Sequence, residues 1–198
     1  MSAALLQPME AAAGTAEAAV EAGASARRPN PILEELRARL GVFDTHFHRE
    51  RLPFSRFAPG FPRGALVELT GPGKTSLVSQ LLAENAGLRA AWVESSFSLL
   101  PSALPQRSVD LEKIFFVEGG KDSAWAAATI LRAQLFPILV YHAPYGCERE
   151  LRRFQLLSER SSTTMLLLGQ RPLGERAWPI KVSLEARGRE LTLVKGKV

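Results

Sequence analysis

From residue 64 onward, short apolar segments alternate with segments of helical periodicity, and this alternation constrains the fold more than any other feature of the sequence. Each apolar segment has the length of one buried strand, and turn-forming residues separate it from the next helix. The sequence predicts five such strands, at Gly64–Thr70, Arg89–Glu94, Ile114–Glu118, Pro137–His142 and Thr164–Gly169.

Three amphipathic helices are predicted between these strands, at Lys74–Asn85, Ser123–Gln134 and Cys147–Arg160. Because neighbouring parallel strands need a crossover connection, this order indicates an α/β fold with a doubly wound, mostly parallel sheet. The last two apolar runs, Ile180–Ala186 and Glu190–Lys195, alternate in polarity around a short turn. They predict a C-terminal antiparallel hairpin at one edge of the sheet.

Composition excludes several classes of protein. The chain has 198 residues, 46% of them hydrophobic, which is enough for one core of ordinary size. It contains no apolar run of about 18 residues, so we expect no membrane span. Its single cysteine, Cys147, allows neither an internal disulfide nor a cysteine-based zinc site. With no pattern of a secretory signal at the N-terminus, we expect a cytoplasmic protein.

The first third of the chain has a different character. Residues 1–30 include 11 alanines and are predicted to be a disordered leader. Residues 31–63 are interpreted as a short helix followed by an extended linker, and residues 64–198 as the core domain. The helix follows Pro31 and ends before Gly41. Its apolar stripe is a candidate surface for contact with another protein, and it consists of Ile32, Leu33, Leu36 and Leu40.

A glycine turn follows the first predicted strand. Gly71 and Gly73 precede Lys74 and Thr75, and a Gly-Lys-Thr sequence between a strand and a helix is typical of phosphate-binding loops. The full motif places a glycine where this chain has Glu68, so the loop is about three residues too short to encircle a triphosphate. The short turn can still present a few backbone amides to an anion.

The segments around this turn resemble the core of the bacterial RecA recombinase. The resemblance extends over residues 64–198 and implies a RecA-like fold. One strand corresponds to the RecA strand that ends in the magnesium-side aspartate, and a later one to the strand that bears the nucleotide-sensing glutamine, here Gln170. The segments that carry the resemblance are Val67–Leu77, Ala90–Glu94, Leu139–His142 and Leu166–Arg171.

Within RecA-like proteins, the chain is most similar to the ImuA family, through Pro31–Leu40 and Phe61–Leu69. The resemblance implies an accessory protein of SOS-induced, error-prone translesion DNA synthesis. It also implies an ImuB-like Y-family polymerase homologue and RecA as partners, with self-association a further expectation. Such a protein would join the nucleoid when bound to its repair partners. Two alternatives stay open: a DNA-dependent ATPase of recombination or repair, and a SulA-like inhibitor of cell division.

The comparison with RecA also predicts that catalytic groups are missing. Ser96 stands where RecA has its general base, His142 replaces the magnesium-side aspartate, and Ala103 replaces the tyrosine that packs on adenine. Serine cannot take a proton from water at neutral pH, and magnesium prefers oxygen ligands over imidazole. We therefore expect no ATP hydrolysis and no ATP or magnesium cofactor. The remaining, vestigial nucleotide-site residues are Gly71, Gly73, Lys74, Thr75 and Gln170.

Positive charge is concentrated in the last quarter of the chain. Residues 146–198 hold 11 Lys and Arg against 6 Asp and Glu, which accounts for the whole formal charge of +5. This excess fits either an acidic or nucleic-acid partner or a solvated helix surface. Because both loops that bind DNA in RecA are short here, we expect weak or no DNA binding by the monomer. The candidate contact residues are Arg149, Arg152, Arg153, Arg171, Arg176 and Trp178.

One further motif suggests a metal site. Asp44, His46 and His48 resemble the opening motif of metal-dependent hydrolases and TatD-type nucleases. Those barrels need further ligands on later strands and about 250 residues. We expect a polar turn here and no bound metal.

Overall fold

The computed structural model describes residues 50–58, 60–145, 147–174, 178–188 and 190–196. Its helices are α1 (Lys74–Glu84), α2 (Ser123–Ala133) and α3 (Glu148–Ser161). Its strands are β1 (Arg51–Leu52), β2 (Phe61–Pro62), β3 (Leu66–Thr70), β4 (Ala90–Glu94), β5 (Ile114–Glu118), β6 (Ile138–His142), β7 (Thr164–Leu168), β8 (Val182–Arg187) and β9 (Glu190–Lys195).

Seven of these strands form one sheet in the order β5-β4-β6-β7-β3-β8-β9. All neighbours in it run parallel except β8 and β9, which form an antiparallel hairpin at the edge. The predicted fold class, a mostly parallel doubly wound sheet with a C-terminal hairpin, is confirmed. The bounds of β5 and β9 agree with the prediction, and the other predicted elements shift by one or two residues at their ends.

Each face of the sheet carries its own apolar core, because successive side chains of a strand point to opposite faces. On one face, Val67 and Trp92 pack in a cluster that includes Leu81 of α1. On the other face, Leu66 and Tyr141 pack with residues of α2 and α3. In the described residues, no helix has both the length and the apolar character that crossing a membrane requires.

The segment from residue 50 to 63 belongs to the first core. Four of its apolar side chains are 7% exposed or less and pack in the cluster that contains the α1 residues. Asn85, at the end of α1, donates through Nδ2 to the carbonyl of Pro53 at 2.9 Å. The interpretation of this part of the chain, before residue 64, as an extended linker is therefore wrong. Its prolines disfavour a regular helix or strand, yet its apolar side chains supply core volume. The buried residues are Leu52, Phe54, Phe57 and Phe61.

The connection between β4 and β5 contains three short turns of 3-10 helix. Leu104 and Val109 anchor it to the first core, with 2% and 5% of their surfaces exposed. Ala103 ends the first of these turns. The connection is thus a loop packed against the first core, and it starts at the carboxyl end of β4.

Candidate functional site

A cleft of about 510 Å³ opens at the carboxyl ends of β4, β6 and β7. Open parallel sheets bind their ligands at this edge, because the connecting loops diverge there and leave a crevice. The register of the sheet brings the ends of β4 and β6 together, since Glu94 lies directly opposite His142. The lining residues are Ser95, Ser96, Ser98, His142, Ala143, Pro144, Tyr145, Leu168, Gly169, Gln170, Arg171 and Leu173.

Glu94 lies beneath this cleft and is fully buried. Its Oε1 accepts a hydrogen bond from Trp92 Nε1 at 2.8 Å, and its Oε2 accepts from the backbone N–H of Ser98. Burial on its own raises the pKa of Glu94, but the hydrogen bonds from Ser98, Trp92 and His142 outweigh it and hold the pKa below its ordinary value. Glu94 is thus an ionised carboxylate whose acceptor positions are occupied from within the protein.

His142 is the link between Glu94 and the cleft. Its Nδ1 lies 3.1 Å from Glu94 Oε1, and because an ionised carboxylate only accepts, Nδ1 carries the proton of this bond. About 24% of the His142 side chain is exposed. Ser98 Oγ also lies on the Nδ1 side, at 3.3 Å. A nucleophile–base–carboxylate triad needs the hydroxyl on the other ring nitrogen, so these three groups do not form one.

Ser96 and Gln170 both line the cleft, where the sequence comparison with RecA places a general base and a nucleotide-sensing group. Arg171, another sequence candidate, also lines it. The described residues that line the cleft contribute hydroxyls, an imidazole, an amide and a guanidinium, but no carboxylate. Such a set can hydrogen-bond an anion, and it lacks the carboxylates through which proteins usually hold magnesium.

The predicted phosphate-loop residues form the junction between β3 and α1, as the sequence indicates. Gly71 has φ +81°, and a Cβ at this position would overlap the carbonyl oxygen of Ala186 on β8. Gly73, with φ +101°, precedes the first residue of α1. None of the four residues from Gly71 to Thr75 that the motif singles out lines the cleft. The turn nevertheless begins beside the end of β7, because Leu69 lies opposite Leu168 and the Gly169 N–H donates to the Leu69 carbonyl. Its glycines have a local role, because the turn packs against the β8–β9 hairpin.

Glu68 on strand β3 is a residue whose importance sequence reasoning missed, since it noted only that this position is not glycine. Glu68 is fully buried, and it accepts hydrogen bonds from Ser183 Oγ at 2.6 Å and from Tyr145 Oη at 3.1 Å. The backbone N–H of Leu173 donates to both carboxylate oxygens, at 3.2 and 3.3 Å. Glu68 therefore joins β8 to two loops that line the cleft.

Tyr145 is held in this network at one wall of the cleft. Burial and the neighbouring Glu68 carboxylate raise its pKa far above the ordinary value for tyrosine, so the phenol stays protonated and donates to Glu68. A Cβ at Gly169 would overlap Tyr145 Oη. The glycine at the end of β7 thus allows the ring to lie against the strand, a constraint that only the three-dimensional register reveals.

The arginine candidates fall into separate environments. The guanidinium of Arg152 lies 4.8 Å from the centre of the Trp178 ring and donates to Gln155 Oε1 at 2.6 Å. Arg149 and Arg153 line a groove between α2 and α3, and Arg152 also contributes to its lining. Trp178, another sequence candidate for partner or nucleic-acid contact, is 51% exposed and already has Arg152 over its ring.

Several predicted residues lie outside the part of the chain that the structure describes. These are Arg176, the N-terminal stripe and the histidine motif near residue 46. Among the described residues, no group of three or more His, Cys, Asp or Glu side chains is placed to hold a metal ion.

Comparison with known proteins gives two similarities. The RadB recombinase, a solved structure, superposes with a TM-score of 0.52 over 70% of this chain and 84% of that chain, at 14% sequence identity. The fold is RecA-like. RecA of Rubrobacter xylanophilus is 36% identical over 81 residues, which cover 37% of this chain and 24% of that protein. The matched part thus spans about a quarter of RecA. No protein-family model matches the sequence.

In a RecA-like fold, as in other widely used folds, function depends on the residues at the site rather than on the architecture. Here the strand ends present His142, Ser96 and Gln170 around a cleft without a lining carboxylate among the described residues. A function for this chain is therefore argued from these site residues and from the sequence similarity to RecA.

Proposed function

We propose that this chain is a RecA-like accessory protein of DNA repair that acts by binding other proteins and does not hydrolyse ATP. In this proposal it supports SOS-induced, error-prone translesion synthesis in the cytoplasm, with an ImuB-like polymerase homologue and RecA as its partners. The similarity to RecA and the RecA-like fold support the repair setting. The ImuA-like role rests on the resemblance of the sequence.

The hydrogen-bonded pair of Glu94 and His142 is the observation that carries the non-catalytic part of the proposal. Phosphoryl transfer needs positioned magnesium and a group that orients the attacking water, acting together. Glu94, the carboxylate that contacts His142 at the cleft, is buried and already accepts from Trp92, Ser98 and His142. These hydrogen bonds indicate that Glu94 and His142 hold the ends of β4 and β6 in place, and this supports a structural role over a catalytic one.

The phosphate-loop turn supports the same conclusion. Gly71 lies against the carbonyl of Ala186, so its lack of a side chain serves packing between the turn and β8. Lys74 has no ion pair with a described carboxylate. A short turn of this kind stays useful to the fold after nucleotide binding is lost.

Two measurements on the full-length protein test the proposal. A ligand raises Tm only when its concentration exceeds its Kd. Because the proposed protein does not use ATP, millimolar ATP with magnesium should leave its Tm unchanged. Phosphate release should stay at the buffer level with and without single-stranded DNA. A Tm increase or phosphate release that Lys74→Ala abolishes would overturn the proposal in favour of a DNA-dependent ATPase. The part of the proposal that names partners fails if purified RecA and ImuB-like protein both bind this protein no better than an unrelated protein does.

A further inference from the structure

A second concavity, of about 700 Å³, lies between α2 and α3 and is called the α2–α3 groove below. Part of its lining is apolar, with Ala124 from α2 and Phe154, Leu156 and Leu157 from α3. Phe154 is fully buried and packs edge-on against Tyr141, so the floor of the groove rests on the core. Leu156 is 40% exposed. The groove therefore offers an apolar strip to solvent on a rigid base.

The rest of the groove lining is strongly basic. Five arginines contribute to it, against one carboxylate among the described lining residues, Glu150. Glu150 interacts with the charge of Arg153, although burial raises its pKa above the ordinary value. The arginines come from both helices: Arg132 from α2, and Arg149, Arg152, Arg153 and Arg160 from α3.

These arginines differ in what they contact. Arg152 is occupied by Trp178 and Gln155. Arg132, Arg149 and Arg160 are exposed and form no ion pair with any residue that the structure describes. The groove therefore presents positive charges and, beside them, an exposed apolar strip, and described residues of the chain form no ion pairs with these three arginines.

We propose that the α2–α3 groove binds an acidic amphipathic helix of a partner protein. This inference deepens the proposed function, on which it rests for the existence of a protein partner. Apolar side chains spaced at i, i+3, i+4 and i+7 would lie on the strip around Leu156, as in other helix-in-groove complexes. Acidic side chains flanking them would face Arg132 across one rim and Arg149 and Arg160 across the other, which gives charge complementarity.

The apolar floor favours a protein occupant over a nucleic acid. Single-stranded nucleic acids bind basic surfaces that also carry exposed aromatic rings for stacking. The aromatic residue that lines the groove, Phe154, is fully buried, and the ring of Trp178, which lies outside the lining, is already occupied by the guanidinium of Arg152. The wall that α3 supplies is 14 residues of helix, about 21 Å long, which instead matches the length of a short partner helix.

The test uses the full-length protein and a labelled synthetic helix of about 18 residues, which slightly exceeds the length of α3. Its apolar face carries leucines at the helical repeat and its flanks carry glutamates. Its control carries lysines in place of the glutamates. Fluorescence anisotropy should show binding of the acidic peptide, and the Kd should rise when salt is raised from about 50 to 500 mM, because exposed charges are screened. The lysine peptide and a labelled oligothymidine should bind at least about tenfold more weakly.

Variants then locate the site. The double reversal Arg149→Glu and Arg160→Glu should raise the Kd of the acidic peptide about tenfold or more, as should Leu156→Asp. The double variant Arg89→Glu and Arg107→Glu makes the same change of charge at exposed positions outside the groove and should stay within about twofold of wild type. Unchanged Tm and circular dichroism show that each variant is folded.

The groove proposal is overturned if the two peptides bind equally, if the control reversals weaken binding as much as the groove reversals, or if groove reversals weaken oligothymidine binding more than peptide binding. A capture assay with purified RecA and ImuB-like protein separates this failure from failure of the proposed function. If wild type and groove variants capture a partner equally, the groove proposal fails and the accessory role stands. If wild type captures neither partner but the peptide results hold, the accessory role fails and the groove stands.

Discussion

At the scale of single residues, the buried carboxylate of Glu68 explains how the loops around the cleft keep their positions. A buried charge is tolerated only when its oxygens accept hydrogen bonds, and Glu68 accepts from Ser183, Tyr145 and the Leu173 N–H. The three donors come from β8 and from the loops after β6 and β7. One side chain thus links segments that are 77 to 115 residues distant from it in sequence.

The close approach of Tyr145 to Gly169 gives the first prediction. Gly169→Ala should lower the free energy of unfolding by about 1–3 kcal/mol, because the new Cβ overlaps Tyr145 Oη and displaces it from Glu68. In a Tyr145→Phe background the atom that causes the overlap is absent, so Gly169→Ala should be less destabilising. Urea denaturation of the four proteins in this double-mutant cycle measures the coupling, and additive effects would contradict the geometry.

The phosphate-loop turn gives a second prediction, because packing and nucleotide binding depend on different residues. Gly71→Ala should lower the free energy of unfolding by about 2 kcal/mol or more, since a left-handed conformation is unfavourable for alanine and its Cβ meets the Ala186 carbonyl. Lys74→Ala, in the same turn, should stay within about 0.5 kcal/mol of wild type. Thermal and chemical denaturation check both. An equally large loss for Lys74→Ala would show that the lysine also supports the fold.

At the scale of elements, the segment from residue 50 to 63 gives a third prediction. A chain that begins at Glu50 should unfold cooperatively, whereas a chain that begins at Gly64 loses Leu52, Phe54 and Phe61 from the first core. Burial of each such side chain is worth roughly 1.5–3 kcal/mol, so the combined loss is comparable with the whole stability of a domain. Differential scanning calorimetry should show no cooperative transition for the shorter chain.

A point variant controls for effects of truncation on solubility. Phe57→Ala in the full-length protein should lower the free energy of unfolding by about 3 kcal/mol, since Phe57 is 7% exposed and stacks on Phe61 at 5.5 Å. Equal Tm values for the two truncated chains would instead restore the interpretation of this segment as a linker.

The sequence predicted the sheet well because the signal for each strand is local. Ile114–Glu118 and Glu190–Lys195 are apolar or alternating runs between turns, and their bounds agree with β5 and β9. The phenylalanines of residues 53–63 stand among three prolines and a glycine, which disfavour any regular element, so their burial was missed. The contact between Glu94 and His142 depends on how β4 and β6 align, which no local pattern records. The sequence could therefore predict that the site lies at the strand ends. It could not predict which side chains meet there, because that depends on the alignment of the strands.

At the scale of the whole molecule, three carboxyl groups of the described residues have shifted pKa values that affect how stability depends on pH. Burial raises the pKa of Glu84, but hydrogen bonds from Ser55 and Gln80 outweigh it and lower the pKa overall; this side chain is exposed, so solvent screens its effect. Burial raises the pKa of Glu150, so this group changes stability on acidification in the opposite direction to Glu84 and Glu94. Glu94, fully buried and with its pKa lowered, should dominate the acid limb.

The sign of this dependence gives the last prediction. Because the pKa of Glu94 is lower in the folded protein than its ordinary value of 4.5, its contribution to stability is complete above that value and is lost as the pH falls through the folded pKa. The free energy of unfolding should therefore decrease on acidification below about pH 4.5. Glu94→Gln should lower stability at pH 7 by about 1–3 kcal/mol, since its amide nitrogen faces a donor in either orientation, Trp92 Nε1 in one and the Ser98 N–H in the other, and it should flatten the acid limb. Urea denaturation at a series of pH values measures both effects. The exposed-site variant Glu84→Gln is the control, and an acid limb as steep in Glu94→Gln as in wild type would show that other carboxyl groups govern it.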